Sequence, residues 1–286
     1  MAKQLTIIIL TYNSEHLIFE CLNSIYKYND IGDTLEIVIV DNCSLNIDAL
    51  FKKIRAEYPS DIVLIKNSDN NGYGSGNNIG VRYAKSPYFI VMNPDVRIIG
   101  PIFQVLLEKF DADKNLGLIG VNISNNSKSL YLKPEYCNFF LMIFSGLLIK
   151  LKCINLRRLF FSGSFLAFNK QIFIDSGAFD EHIFMFHEEA DISNRILSLG
   201  KNVCYAPNIK VHHLAHYRKV NDHLMRIGCE SRKYYFKKYN TDINRYYRNL
   251  LIIYLFKYCI AVALNNKLKM EEFLLWIDFC KRRGEL

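Results

Sequence analysis

The chain has 286 residues, 50% hydrophobic and 22% charged, with a formal net charge of +8. This composition supports a sizeable core and fits one large α/β domain with a helical appendage better than two equal domains. Eight cysteines, scattered from Cys21 to Cys280 without a C-x-x-C pair, imply neither a metal knuckle nor a disulfide framework, so a reducing cytoplasm is the expected setting.

The amino terminus enters Leu5-Thr6-Ile7-Ile8-Ile9-Leu10 directly. That run is too short for a signal-peptide core with its cleavage site and reads as the first strand. A polar turn, Thr11-Tyr12-Asn13-Ser14, follows, and Ser14 is placed to cap a helix with apolar positions Leu17, Ile18, Cys21, Leu22 and Ile25. Glu36 to Val40 is a second strand ending at Asp41-Asn42-Cys43-Ser44. A helix through Leu50, Phe51 and Ile54 leads to a third strand at Ile62 to Ile65. After a glycine-rich loop and another helix comes Tyr88-Phe89-Ile90-Val91-Met92, which stops at Asn93-Pro94-Asp95. The alternation predicts βαβ units and a mainly parallel sheet.

Residues 122–160 carry the weakest pattern. Asn122 to Ser129 is polar and reads as a flexible loop. Phe139 to Ile149 is an uninterrupted apolar stretch before a basic cluster, Lys150, Lys152, Arg157 and Arg158. It suits a core helix, an acceptor-site flap or a membrane-facing element. Regular structure resumes at Ser164 to Phe168 and continues through a helix starting near Glu188 to a strand at Asn202 to Ala206.

The basic excess lies at the carboxyl end. From Pro207 to Leu286 there are 16 Lys/Arg against 7 Asp/Glu, while the preceding residues balance at 20 against 21. The apolar run Leu250 to Leu264 is interrupted by Lys257 and falls short of the roughly 20 residues that a spanning helix needs. Such a tail fits an anionic membrane surface or a basic helical subdomain packed on the core. No reader motif accompanies the charge to argue for nucleic acid.

Four segments carry chemistry. Thr11-Tyr12-Asn13 and Asp41-Asn42 each follow a strand, where a carboxylate accepts hydrogen bonds from a ribose or base N–H, or caps the next turn. Asn70 to Gly80 holds three alternating glycines before a helix expected to start near Asn77, an arrangement open to close backbone approach by an anion. Its spacing is neither the dinucleotide fingerprint nor a Walker loop. In Asn93-Pro94-Asp95, Pro94 stiffens the turn that aims Asp95, and one carboxylate suffices to hold Mg2+ or Mn2+ on phosphates. Finally, Phe186-His187-Glu188-Glu189-Ala190-Asp191 sets three carboxylates at a helix start, as macrodipole partners or as a general base. Val211-His212-His213-Leu214-Ala215-His216 adds three imidazoles, a density that points to metal or phosphate.

In this order the segments resemble the family 2 glycosyltransferases, and within them the bacterial rhamnosyltransferase-like branch that builds surface polysaccharides. The likeness runs over residues 4–216. It rests on Ile8 to Ser14, Ile39 to Asn42, Asn71 to Gly80, Met92 to Asp95, Ser162-Gly163-Ser164-Phe165-Leu166, Gly177 to Glu181, Phe184 to Asp191, and Val211-His212-His213.

The resemblance implies a GT-A fold: an α/β domain over 1–221, its mostly parallel sheet flanked by helices, with a basic amphipathic extension over 222–286. It implies inverting transfer from a nucleotide sugar, a dTDP- or UDP-sugar with dTDP-rhamnose foremost, to a hydroxyl of a lipid-linked or growing surface glycan such as O-antigen. Thr11, Tyr12, Asn13, Asp41, Asn71, Gly72, Gly76, Asn78, Asn93 and Gly163 would line the donor site. Asp95 would hold Mg2+ or Mn2+, assisted by His212. The base would come from Glu188, Glu189 or Asp191, with Glu189 standing where the family usually has Asp. The expected setting is the inner face of the bacterial inner membrane. The rival enzyme class, a nucleotidyltransferase, lacks a basic residue between Asn67 and Val81 to meet a triphosphate. A catalytically inactive paralogue serving as an assembly subunit is the non-enzymatic alternative.

Overall fold

The computed structural model describes residues 1–58, 62–124, 128–214 and 222–282. The chain divides into two compact units. One is Met1–Tyr131 with Phe160–Tyr217; the other is Leu132–Leu159 with Arg218–Leu286. Residues 132–159 group with the carboxyl-terminal helices.

Among the described residues of the first unit, eight strands form one sheet. Their order is β3 (Val63–Lys66), β2 (Leu35–Asp41), β1 (Leu5–Thr11), β4 (Tyr88–Met92), β9 (Phe165–Asn169), β6 (Leu116–Ser124), β10 (Asn202–His213) and β5 (Val96–Ile98). The pairs β1–β2, β2–β3, β1–β4 and β6–β10 are parallel, whereas β9 and β5 run against their neighbours. A separate ribbon pairs β7 (Leu130–Leu132) with β8 (Leu159–Phe161).

The near-continuous apolar content of β1, β2 and β4 follows from burial on both faces, which parallel strands require. The helices α1 (Glu15–Lys27), α2 (Ile47–Glu57) and α4 (Phe103–Ala112) supply the covering layer. Ile18, Cys21, Leu22, Ile25, Leu50, Phe51 and Ile54 all enter the sheet's main core, as their helical spacing predicts. Register sets Thr11 beside Asp41 and Ile9 beside Met92, so the polar turns after β1, β2 and β4 open at one end of the sheet.

Three local expectations change. Ser14 occupies the N-cap position of α1 but makes no capping bond, because its hydroxyl donates to the Tyr12 carbonyl (2.9 Å). The helix expected from Asn77 starts earlier, as α3 (Tyr73–Tyr83). Strand β10 runs past Ala206 to His213, accommodating Pro207 in a register shift between Ala206 and Lys210, where a missing N–H breaks no regular ladder. Of the expected loop over 122–129, residues 125–127 lie outside the described residues.

The second unit contains α5 (Phe139–Lys150), α8 (Asp222–Lys238), α9 (Ile243–Ala263) and α10 (Lys267–Lys281). Its core gathers Cys229, Tyr247, Phe279 and Cys280 with Leu250, Tyr254 and Trp276 packed around them. The Arg232 guanidinium lies over the Tyr246 and Tyr247 rings at 5.4 and 5.8 Å. Lys133 Nζ donates to the Arg157 carbonyl and the Lys133 N–H to the Arg158 carbonyl, both at 2.9 Å, closing the base of the 132–159 insertion. No residue of α5 is buried, so it is not a core helix. No described helix is long and apolar enough to cross a membrane.

Candidate active site

At the ends of β1 and β2 the Asp41 carboxylate is fully buried and organises the turn around it. Oδ1 accepts the Ser44 N–H (2.7 Å); Oδ2 accepts the Ser44 hydroxyl (2.6 Å) and the Thr11 hydroxyl (3.0 Å). Asn13, held at φ 48°, donates its N–H to Ser44 Oγ at 2.7 Å. Tyr12 projects into solvent. A carboxylate offers about four acceptor sites, so one remains on Oδ1 for an incoming donor group. Asn42 is also buried, bridging Asn70 (2.7 Å), the Gly72 carbonyl (3.2 Å) and Asn67 (2.9 Å).

The glycine segment is folded rather than open. Gly74, Gly76 and Gly80 are helical residues of α3, which lies so close to the sheet that a Cβ at Gly76 would overlap Leu10, and one at Gly80 would overlap Ile8. Gly72, at φ 94°, lets the chain pass the Phe184 carbonyl, which accepts the Tyr73 N–H at 2.8 Å. Asn78 is turned inward, exchanging hydrogen bonds with the Phe179 backbone and reaching Glu181. Of the four donor-site residues expected here, Asn71 is exposed and Gly72, Gly76 and Asn78 are committed to packing.

After β4 the chain turns through Asn93-Pro94-Asp95. The Val96 N–H closes onto the Asn93 carbonyl (3.1 Å), and the Asn93 N–H bonds the Ser164 carbonyl (3.0 Å). Asp95 keeps its carboxylate 14% exposed, with His213 Nε2 at 3.3 Å from Oδ1. The antiparallel pairing of β10 with β5 brings them together, setting His213 beside Val96 and His212 beside Arg97. His212 therefore faces the other side of the sheet, where Nδ1 meets Ser124 Oγ at 3.4 Å. Side-chain alternation makes His213, not the expected His212, the imidazole on Asp95. His216 lies outside the described residues.

Asp95 Oδ1 is a buried oxygen without hydrogen-bond geometry to any described donor, while an imidazole nitrogen faces it. That oxygen–nitrogen pair suits a divalent cation whose remaining ligands come from phosphates and water. Among the described residues no cluster of three or more His, Cys, Asp or Glu is grouped for a metal, so protein alone would not complete the coordination.

The acidic motif opens α7 (Glu188–Ser198) after two residues of positive φ, Phe186 and His187. Its three carboxylates have separate fates. Asp191 is fully buried, and its Oδ2 accepts from Arg195 Nε (2.9 Å) and Nη2 (2.7 Å), while Arg195 Nη1 donates to the Ser176 carbonyl. This is a structural ion pair. Glu188 is buried, with Oε2 lacking a hydrogen-bond partner, and burial together with Glu189 and Asp191 pushes its carboxyl well above the usual range. Glu189 is raised to about 7 by burial, opposed by hydrogen bonds from its own backbone and from the Gly163 N–H.

Gly163 leaves no room for a side chain, since a Cβ there would overlap Glu189 Oε1. Its carbonyl accepts the Tyr73 hydroxyl at 2.6 Å. Burial and the charges of Glu189, Glu188 and Asp95 hold the Tyr73 phenol well above its usual pKa, so the metal-candidate turn and the acidic motif share one neighbourhood. The Asn93–Ser164 bond joins the metal-candidate turn to the Gly163 segment that backs Glu189. Tyr73 stands inside the glycine segment but has no role assigned from sequence, and His213, one of the three imidazoles noted there, differs from the expected ligand His212 only in parity along a strand.

Residues 6–177 match the family model for Glycosyl transferase family 2, and the chain belongs to that family. Among curated proteins it is 30% identical over 109 residues to a teichoic acid poly(glycerol phosphate) polymerase of Staphylococcus epidermidis, covering 38% of this chain and 15% of that protein. It is 29% identical over 203 residues to the low-salt glycan biosynthesis hexosyltransferase Agl10 of Haloferax volcanii, covering 68% and 62%. The chain thus spans a small part of the polymerase and less than two thirds of Agl10. The fold is GT-A. It superposes on the mannosyltransferase PcManGT from Pyrobaculum calidifontis, solved with GDP-Man and Mn2+, with TM-score 0.64, 19% identity and coverage of 85% and 65%. The S. aureus TarS 1–349 structure with UDP matches at TM-score 0.57, 13% identity and coverage of 99% and 92%.

Proposed function

We propose that this chain is an inverting, metal-dependent glycosyltransferase that moves a sugar from a nucleoside diphosphate donor to a hydroxyl of a lipid-linked or growing glycan. The observation that carries the reading is the Gly163-Ser164 segment: Gly163 packs against the Glu189 carboxylate and accepts the Tyr73 hydroxyl at 2.6 Å, while the Ser164 carbonyl accepts the Asn93 N–H of the metal-candidate turn at 3.0 Å. Glu189 takes the proton from the acceptor hydroxyl as that oxygen attacks the anomeric carbon. Gly163 and Tyr73 position it. Asp95 and His213 hold Mg2+ or Mn2+, which when bound supplies charge neutralisation for the departing diphosphate. Thr11, Asn13 and Asp41 receive the nucleoside, with the remaining acceptor capacity of the Asp41 carboxylate taking a ribose hydroxyl or base N–H. The resemblance to the rhamnosyltransferase-like branch favours dTDP-rhamnose as donor, and GDP-Man and UDP in the similar structures make those nucleotides the comparison. The basic carboxyl-terminal region favours a post on the inner face of the bacterial membrane, next to such an acceptor.

The test is thermal stabilisation of the purified protein by dTDP, UDP, GDP and CMP, each with Mn2+ or with EDTA. Metal-dependent stabilisation by one diphosphate, lost in Asp95→Ala, is the expected result and names the donor class. Stabilisation by none of them overturns the reading in favour of an inactive assembly subunit.

A further inference from the structure

We propose that the 132–159 insertion is the membrane-seating element: α5 lies in the headgroup–acyl boundary of an anionic bilayer, with Lys150, Lys152, Arg157 and Arg158 meeting lipid phosphates. This deepens the membrane part of the reading above, which placed that contact in residues 222–286.

A helix that is apolar all round normally sits inside a core or in lipid. The stretch Phe139–Ile149 is apolar on every face apart from Ser145 and Gly146, yet no residue of α5 is fully buried: one face, with Leu141, Met142, Leu148 and Ile149, is half-buried and the other is exposed. The most exposed side chains, Phe140 (70%), Phe144 (48%), Leu147 (55%) and Leu151 (59%), recur at three- and four-residue steps, so they form one stripe along the helix. At about 1.5 Å per residue, twelve residues span roughly 18 Å. That is well short of a hydrocarbon layer of about 30 Å, so the helix lies on the bilayer and does not cross it.

Charge selects the occupant. Lys150 and Lys152 are exposed at the carboxyl end of this stripe, while Arg157 and Arg158, also exposed, return beside its amino end, where the Arg158 guanidinium lies 5.6 Å from the centre of the Tyr136 ring; no acidic residue lies between Asn138 and Arg158. Arg157 and Arg158 rim a cleft of about 490 Å³ with Tyr136, Leu141, Leu148 and Ile154 in its walls. Guanidinium groups over an apolar wall match a phosphate with the start of an acyl chain. An apolar stripe with cations beside both of its ends complements an anionic lipid surface.

The experiment is co-sedimentation of the full chain with phosphatidylcholine vesicles, with and without phosphatidylglycerol, at low and high salt. The combined variant Phe140→Ser/Phe144→Ser/Leu147→Ser is expected to lower partitioning at least tenfold at both salt levels. Arg157→Gln/Arg158→Gln is expected to lower it about tenfold, only with phosphatidylglycerol and low salt. In the unmodified protein, amide exchange over 139–151 should slow when phosphatidylglycerol vesicles are added. Unchanged partitioning of the serine variant, or unchanged exchange over 139–151, overturns the proposal. So does a dimer in light scattering that the serine substitutions dissolve, since the stripe would then join two copies. Nucleotide stabilisation is read without vesicles, so failure of membrane seating and failure of the transferase reading give separate signatures.

Discussion

Gly163 and Glu189 touch backbone to side chain: the glycine N–H bonds the carboxylate, and the space a Cβ would need is filled by Glu189 Oε1. The carboxylate proposed as base is thereby held by a residue that has no side chain to lose.

Gly163→Ala should displace Glu189 and reduce turnover nearly as far as Glu189→Gln, by about 10²–10⁴-fold, the usual worth of a general base. Metal-dependent nucleotide stabilisation should persist in both variants. Single-turnover rates at saturating donor, set beside the thermal shift, check this. Full turnover in Glu189→Gln would remove Glu189 from the role.

The raised Glu189 pKa makes both activity and stability depend on pH. A base must be deprotonated, so kcat/KM should rise with pH through about 7. The folded carboxyl holds its proton to higher pH than an unfolded one at about 4.5, so the folded state binds more protons between those values. Its contribution to stability is therefore lost as pH climbs from about 4.5 to 7. Glu189→Gln should flatten that decline and be more stable than the parent at pH 8, by about 1–3 kcal/mol. Urea unfolding at pH 5 and pH 8 measures both slopes.

Position 213, not 212, should govern the metal. Asp95→Ala and His213→Ala are each expected to abolish the Mn2+-dependent part of nucleotide stabilisation, and His212→Ala to retain it. Equal losses at 212 and 213 would mean that the strand parity seen in β10 does not select the ligand.

Asp191→Asn tests the acidic motif from its structural side. It leaves Arg195 without its buried counter-ion and should destabilise the protein by about 3–5 kcal/mol in urea unfolding. A loss of turnover with stability intact would instead return Asp191 to the list of bases.

Gly80→Ala should cost about 1–3 kcal/mol, because its Cβ would overlap Ile8 in the fully buried β1. Thermal unfolding compared with an exposed-site alanine control checks it.

Much of the architecture was legible in the chain. Apolar runs ending in polar turns marked β1, β2 and β4, helical spacing marked the buried faces of α1 and α2, and Asp95 stood out because Pro94 breaks a strand just before it. These signals are local, since period and turn chemistry act over a few residues. The glycine segment misled for the same reason: a sequence rich in Gly and Asn reads as an open loop, and only the closeness of α3 to β1 assigns those glycines to packing.

The tertiary structure decided what depends on partners far along the chain. Tyr73 meets Gly163 across 90 positions, and Asp95 meets His213 through the antiparallel register of β5 and β10. A one-residue change in that register would present His212 instead, because neighbouring side chains leave a strand on opposite faces. Likewise three adjacent carboxylates were indistinguishable until Arg195 claimed Asp191 and Gly163 claimed Glu189. Composition and periodicity determine which elements form; which of two adjacent like residues acts is set by long-range pairing, which no local pattern encodes.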